Sequence, residues 1–340
     1  MAEGAADNDT WRQEAVQMQK DNPELTTAQI AEKKKGELVK PEKGSGGYSK
    51  EARHESPVQS SVKDLPYRIA PIPGKGLGLI ATRQISRGEL IVEESPVLME
   101  RQGFMGFSQI QEQFDQLEAS VQDQIMDLHD KNAPDGNGKT LLGGVGSSNG
   151  ALCLVISRAN HSCINNCYHG WVDGRERLFC DADIASGEEI CTNYIQWHLT
   201  TDQRQRELQT QFGFACDCPA CMQAESLQKK HDAIRLKIGQ LDQSIPELYP
   251  MPSKAVALVE QVLSLYEKLG RPIPYVAEVR HCYDAFQLSL SERNIPAAKR
   301  WIQRAYAASL ITDGPSSPQA LRFERFVKNP LSRLQDGLCI

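Results

Sequence analysis

The chain has 340 residues, 40% of them hydrophobic and 24% charged, which suits a soluble globular protein with room for two domains and a sizeable core. A formal net charge of −6 excludes a general nucleic-acid binder, because such a protein needs a basic face to displace counterions. No apolar run approaches bilayer length, and Met1-Ala2-Glu3-Gly4 has neither the basic start nor the apolar core of a secretory leader. The expected location is the nucleus or the cytoplasm, with no membrane partner. The ten cysteines are then expected as reduced thiols or metal ligands rather than disulfides. None precedes Cys153, and eight fall between Cys153 and Cys221.

Residues 1–62 are polar, mixed in charge and poor in aromatics, the composition of a disordered tail. Lys33-Lys34-Lys35 reads as a solvated charge run rather than an import signal. From residue 65 the pattern becomes β-rich. Tyr67-Arg68-Ile69 predicts a strand, residues 74–78 a glycine turn, and residues 79–81, 89–93 and 96–99 further short strands, with Ser86-Arg87-Gly88 as a turn between them. Over residues 104–130, Phe107, Ile110, Phe114, Leu117, Val121, Ile125 and Leu128 recur at steps of three and four, predicting one or two amphipathic helices. Residues 132–150 form a glycine-rich loop. Gly138-Lys139-Thr140 within it is not a phosphate-binding loop, since Ala133 stands where the leading glycine is required.

Residues 151–156 make an apolar run that predicts a buried strand. Strands over 168–172 and 177–181 flank Asp173-Gly174, a hairpin signal. Another strand is expected over 189–195, then a short helix over 204–211. Beyond residue 227 the apolar stripes Ile234/Ile238/Leu241/Ile245, Val256/Val259/Leu263/Tyr266 and Val276/Val279/Tyr283/Phe286/Leu290 predict helices. Two more, over 294–310 and 317–327, bring the total to five. Paired helices of this length are like tetratricopeptide units, but the full repeat signature is absent, so a small bundle or an irregular repeat is expected.

Two stretches carry chemistry. Cys216-Asp217-Cys218-Pro219-Ala220-Cys221 places three thiols within six residues. In a reducing compartment this reads as a metal knuckle, and zinc prefers four tetrahedral ligands. A fourth ligand must come from afar. Cys163 is the candidate, with Cys167, Cys180, Cys191 and His198 as competitors. The second stretch is the polar run Arg158-Ala159-Asn160-His161-Ser162-Cys163, followed about thirty residues later by Tyr194. Taken singly, a tyrosine at a strand end is usually a packing residue.

Together these pieces resemble the SET-domain family of protein lysine methyltransferases. The resemblance rests on Gly76-Leu77-Gly78, on Arg158-x-x-Asn160-His161-Ser162-Cys163 with Asn166, on Gly187-Glu188-Glu189-Ile190 through Tyr194, and on Phe212-Gly213-Phe214-x-Cys216-x-Cys218-x-x-Cys221. The helical tail is similar to that of the SET-and-MYND branch, while the MYND zinc module itself is not expected, because no cysteine precedes Cys153. The implied fold class is α+β. It comprises a tail (1–62), a β-rich SET domain (63–199) with a variable insert (101–150), a post-SET zinc segment (200–224) and an all-α region (225–340).

The implied activity is transfer of a methyl group from S-adenosylmethionine to a lysine of a histone or non-histone protein. By resemblance, Gly76, Leu77, Gly78, Arg158, Asn160, His161, Phe212 and Phe214 hold the methyl donor, and Tyr194 lines the lysine channel. Cys163, Cys216, Cys218 and Cys221 bind zinc. The helical tail is expected to bind peptides, and the protein to act as a monomer. The family has proline where this chain has Asn165, which implies a looser loop there. A non-catalytic zinc scaffold is the competing reading, and retention of Asn160, His161 and Tyr194 favours the enzyme. A cysteine hydrolase using Cys163 would need a thiol that a metal does not hold.

Overall fold

The computed structural model describes residues 65–99, 107–128, 150–269, 273–315 and 317–335. The expectations for residues 1–62 and 132–149 lie outside the described residues. The strands, in chain order, are β1 (Tyr67–Ile72), β2 (Gly76–Ala81), β3 (Leu90–Glu94), β4 (Leu98–Met99), β5 (Ala151–Leu152), β6 (Asn160–His161), β7 (Cys167–Val172), β8 (Arg175–Cys180) and β9 (Glu189–Thr192). They form sheets of order β1-β2-β9-β6, β3-β8-β7 and β4-β5. With the helices below, this is the α+β class expected.

The turns follow the glycines. Ile72 pairs with Gly76, and Gly74 and Gly76 take φ of 74° and 73°, where a side chain would be strained. The reversal is therefore complete at Gly76, and β2 begins inside the segment expected to be all turn. Asp173 and Gly174 both have positive φ, 52° and 77°, as a two-residue hairpin joining right-twisted strands requires.

Two expected strands are shorter than the apolar pattern implied. Of residues 151–156 only Ala151 and Leu152 pair, with β4. The Glu94 carboxylate then accepts the N–H groups of Leu154 at 2.6 Å, Val155 at 3.0 Å and Ile156 at 3.1 Å. This gathers the backbone into a 3₁₀ turn over Ile156–Arg158, and a half-buried carboxylate takes the place of a neighbouring strand. The strand expected over 189–195 stops at Thr192, because the next N–H groups go to side chains. Tyr194 donates to His161 Nδ1 at 3.1 Å and Ile195 to Asn193 Oδ1 at 3.0 Å.

Helices α1 (Phe107–Asp115) and α2 (Ala119–Met126) are the expected pair in the insert. Ile110, Ile125 and Leu128 pack with Leu98 and Leu152, so the insert covers the β4-β5 sheet. Helix α3 (Thr201–Phe212) opens on a capping box, Thr200 with Gln203, and closes on Gly213 at φ 78°. The five tail helices are α4 (Glu225–Glu247), α5 (Pro252–Glu267), α6 (Tyr275–Ser291), α7 (Ile295–Thr312) and α8 (Pro318–Lys328), with a short α9 (Ser332–Gln335) after them. From α4 to α8 each packs on the next, and their stripes share one core around Val259, Leu263, Phe286, Ile302 and Phe326.

Among the described residues, the tail is joined to the β-rich part at two places. Arg87 donates to the carbonyls of Asp181 at 2.9 Å and Ile273 at 2.6 Å, and its guanidinium lies 3.8 Å from the Tyr275 ring centroid. At the other, Arg235 on α4 donates to the Trp197 carbonyl at 2.7 Å. A Cβ on Gly239 would come within 2.9 Å of the His198 ring, so glycine lets α4 lie against the loop that follows Tyr194.

Candidate active site

Strands β6 and β9 run parallel, with Asn160 opposite Cys191 and His161 opposite Thr192. This pairing brings the Asn160-His161 run beside Tyr194. Asn166 locks the turn between them. Its side chain accepts from the Cys191 N–H at 2.8 Å and donates to the Glu189 carbonyl at 2.9 Å. Asn165 does not loosen this loop: it is buried, and its amide donates to the Cys167 carbonyl at 2.8 Å.

Asn160 reaches across β9 to β2. Its Nδ2 donates to Glu189 Oε1 at 2.9 Å and to the Leu77 carbonyl at 3.3 Å, and Glu189 Oε2 pairs with Lys75 Nζ at 2.9 Å. Gly78 permits the approach, since a Cβ there would lie 2.7 Å from Asn160 Nδ2 and 2.6 Å from Ile72 Cγ1. Gly76 faces open space, with nothing within 4 Å of where a Cβ would sit.

His161 is buried, and burial pushes its imidazole down to about 4, so the ring is neutral at pH 7. Its Nδ1 accepts the Tyr194 N–H. The proton is therefore on Nε2, which lies 3.3 Å from Cys163 Sγ and donates to it. One ring thus joins the backbone of Tyr194 to a sulfur. The Tyr194 hydroxyl donates to the Ala159 carbonyl at 2.7 Å. Burial pushes this phenol up from its ordinary value, so it stays protonated throughout the neutral range.

Phe212 and Phe214 flank the left-handed Gly213, which turns both rings toward the site. Phe212 lies 5.0 Å from Tyr194 and Phe214 lies 6.1 Å from His161, centroid to centroid. Arg158 goes elsewhere. Its guanidinium pairs with Asp127 Oδ2, just past α2, at 3.0 Å, so it fastens the insert rather than joining the other predicted donor-binding residues.

Sγ atoms of Cys163, Cys216, Cys218 and Cys221 all lie within 4.8 Å of one another. Cys163 is 3.9 Å from Cys216 and 3.6 Å from Cys221. A zinc ion at about 2.3 Å from four tetrahedral sulfurs requires spacings of about 3.8 Å, so the cluster fits that ion. Cys167, Cys180, Cys191 and His198 are not part of it. The same hydrophobic cluster that holds these sulfurs includes Tyr194, Phe212 and Phe214.

Sequence reading missed Lys75, Glu189 and the Ala159 carbonyl. Lys75 lies in the glycine turn over 74–78 and Glu189 inside a quoted motif, but they become partners only through the pairing of Leu79 with Ile190 and Ile80 with Glu189. The Ala159 carbonyl leaves no trace in a sequence.

Residues 76–195 match the SET domain family. The chain is 27% identical over 287 residues to histone-lysine N-methyltransferase set5 of Schizosaccharomyces pombe, covering 80% of this chain and 87% of that protein. It is 36% identical over 76 residues to protein-lysine N-trimethyltransferase SMYD5 of Gallus gallus, covering 21% of this chain and 18% of that protein. It is 38% identical over 71 residues to histone-lysine N-methyltransferase SET5 of Candida albicans, covering 20% of this chain and 15% of that protein. No helix among the described residues is long and apolar enough to cross a membrane. The chain thus carries a SET domain over residues 76–195 and is similar, along most of both chains, to a histone-lysine methyltransferase.

Proposed function

We propose that the chain transfers methyl groups from S-adenosylmethionine to lysine side chains of histones or non-histone proteins, with one zinc ion bound per chain. The observation that carries this reading is the convergence of Asn160, His161, Tyr194, Phe212, Phe214 and the four-cysteine cluster on one place. The domain division is part of the proposal: SET over 63–199, zinc segment over 200–224, helical tail over 225–340. The tail, lying against the loop after Tyr194, would take part in choosing the substrate peptide.

The residues present fit the methyl donor. The open edge at Gly76, the Asn160 amide, the Leu77 carbonyl and the Lys75–Glu189 pair offer polar and charged partners for an amino-acid head. The rings of Phe212 and Phe214 offer faces for a flat base. When bound, S-adenosylmethionine supplies an electrophilic sulfonium methyl to a neutral amine. Everything else falls to the protein. A free lysine is almost wholly protonated at pH 7, and the poorly hydrated aromatic wall around Tyr194 disfavours its charged form. The Tyr194 phenol remains neutral, so it orients the amine and takes no proton from it. Asn160, fixed at both ends of its reach, sets where the donor lies relative to Tyr194. The gain is largely positional.

The test is transfer of labelled methyl groups to core histones and to nuclear extract by the purified protein, with Tyr194→Ala beside it. Labelled bands that vanish in the variant support the assignment. Absence of labelling together with absence of donor binding by calorimetry would overturn it.

A further inference from the structure

Glu189 opens β9 and joins two of the residues placed at the methyl-donor end of the site. Its backbone is held on both sides. It pairs with Ile80 of β2, and its carbonyl accepts from Asn166 Nδ2 at 2.9 Å. The side chain is half-buried, and both carboxylate oxygens are engaged. Oε1 accepts from Asn160 Nδ2 at 2.9 Å, and Oε2 pairs with Lys75 Nζ at 2.9 Å.

The consequence falls on Asn160. The two ends of a side-chain amide are nearly alike in shape, so hydrogen-bond partners decide which way it faces. Nδ2 meets the Leu77 carbonyl and Glu189 Oε1, and a carbonyl and an ion-paired carboxylate only accept. Both amide hydrogens are therefore engaged, and the nitrogen cannot turn outward. Oδ1 is turned away from these partners, and among the described residues it has none of its own. The bond to Leu77 is long at 3.3 Å, so the orientation rests chiefly on Glu189. An oxygen presented in this way accepts from a cation and repels a carboxylate.

We infer that Glu189 is a positioning residue for the methyl donor. It locks the Asn160 amide with Oδ1 outward, so that this amide takes the ammonium of the donor's amino-acid head and refuses its carboxylate. The pair with Lys75 balances the Glu189 charge, so Glu189 acts through Asn160 and does not draw the ammonium to itself.

The inference rests on the methyl-donor reading, and the experiment separates the two. Calorimetry on the purified full-length protein measures the Kd of S-adenosylhomocysteine and of its deaminated analogue, which keeps the carboxylate and the adenosine but lacks the ammonium. The parent is compared with Glu189→Gln, Asn160→Ala and the double variant. In Glu189→Gln the new amide can offer an N–H to Asn160, so the Asn160 amide is free to turn over. The Kd of S-adenosylhomocysteine is expected to rise about 10- to 100-fold, the range of a hydrogen bond to a charged group, while that of the analogue holds. The double variant should bind no more weakly than Asn160→Ala, because Glu189 acts through that amide. Equal loss for both ligands marks a merely structural role and overturns the inference. Parental affinities in Glu189→Gln also overturn it, as does a further loss in the double variant, which would mean that Glu189 meets the ammonium itself. Each of these leaves the donor reading intact. If Glu189→Gln does not fold, Glu189→Asp decides, since its carboxylate is one methylene too short to hold Nδ2. An ammonium-selective loss there supports the inference, and parental or unselective binding overturns it. A parent that binds neither ligand overturns the inference and the donor reading together.

Discussion

Asn160, Tyr194 and Gly78 each occupy a position at which a change of one atom or one methyl group has a defined consequence. Tyr194→Phe removes the hydroxyl that donates to the Ala159 carbonyl at 2.7 Å. We expect a stability loss of about 1 kcal/mol and a fall in kcat on the order of 10²-fold from the loosened ring, read by urea melts and by the labelled-methyl assay. Gly78→Ala would bring a Cβ to 2.6 Å from Ile72 Cγ1 and 2.7 Å from Asn160 Nδ2, so the strand or the amide must shift. Overpacking of this kind costs about 1–3 kcal/mol, and because the displaced atom is the Asn160 amide, donor Kd should rise as well. A variant with parental melting and parental donor affinity would show that the contact relaxes freely.

At the scale of elements, the cysteine segment and the tail helices respond to different reagents. Loss of the ion from the four-cysteine cluster removes folding free energy along with it. A strong chelator, or Cys216→Ser, is therefore expected to lower Tm and to abolish methyl transfer together. Metal analysis should give one zinc per parent chain, and activity unaffected by complete zinc removal would contradict the arrangement. In the tail, Asp242 on α4 accepts hydrogen bonds from Arg280 and His281 on α6. Burial works against its charge, but these bonds prevail and hold its carboxyl well below the usual range. A carboxyl whose folded pKa is depressed adds stability above its unfolded value and loses it as the pH falls toward the folded one. The urea midpoint should thus decline from about pH 5 downward, and Asp242→Asn should flatten that decline. His281 Nδ1 also lies 2.7 Å from the Ala277 carbonyl, which can only accept.

On the scale of the whole molecule, the tail and the β-rich part meet through two cations on backbone carbonyls, Arg87 half-buried and Arg235 buried. Arg87→Ala removes bonds to the Asp181 and Ile273 carbonyls and the stacking on Tyr275. The loss is expected to reach about 2–4 kcal/mol and to split a single denaturant transition into two, seen by comparing tryptophan fluorescence with circular dichroism. Retention of one sharp transition would mean that the joint at Arg235 and Gly239 couples the parts by itself.

Much of this was written in the chain. Apolar stripes at steps of three and four marked the insert pair and three of the five long tail helices, because a helix must turn one face to its core. Asp173-Gly174 marked its hairpin, since both residues tolerate positive φ. Cys216, Cys218 and Cys221 announced by spacing alone a thiol cluster that could hold a metal, and the Asn160-His161 motif with Tyr194 pointed to the SET domain that the chain matches. Strand lengths were less legible. Residues 151–156 and 189–195 look like full strands, yet Glu94 and His161, distant in the chain, take their N–H groups instead. The choice of Cys163 over four competitors, the turning of Arg158 away toward Asp127, and the joining of Lys75 to Glu189 were likewise decided only in three dimensions. Sequence determines what a residue can offer: a donor, a sulfur, a missing Cβ. The parallel pairing of β6 with β9 and the packing of α3 and α4 behind them determine which offers meet, because hydrogen bonds and metal ligation act over a few ångströms and the partners here lie tens of residues apart.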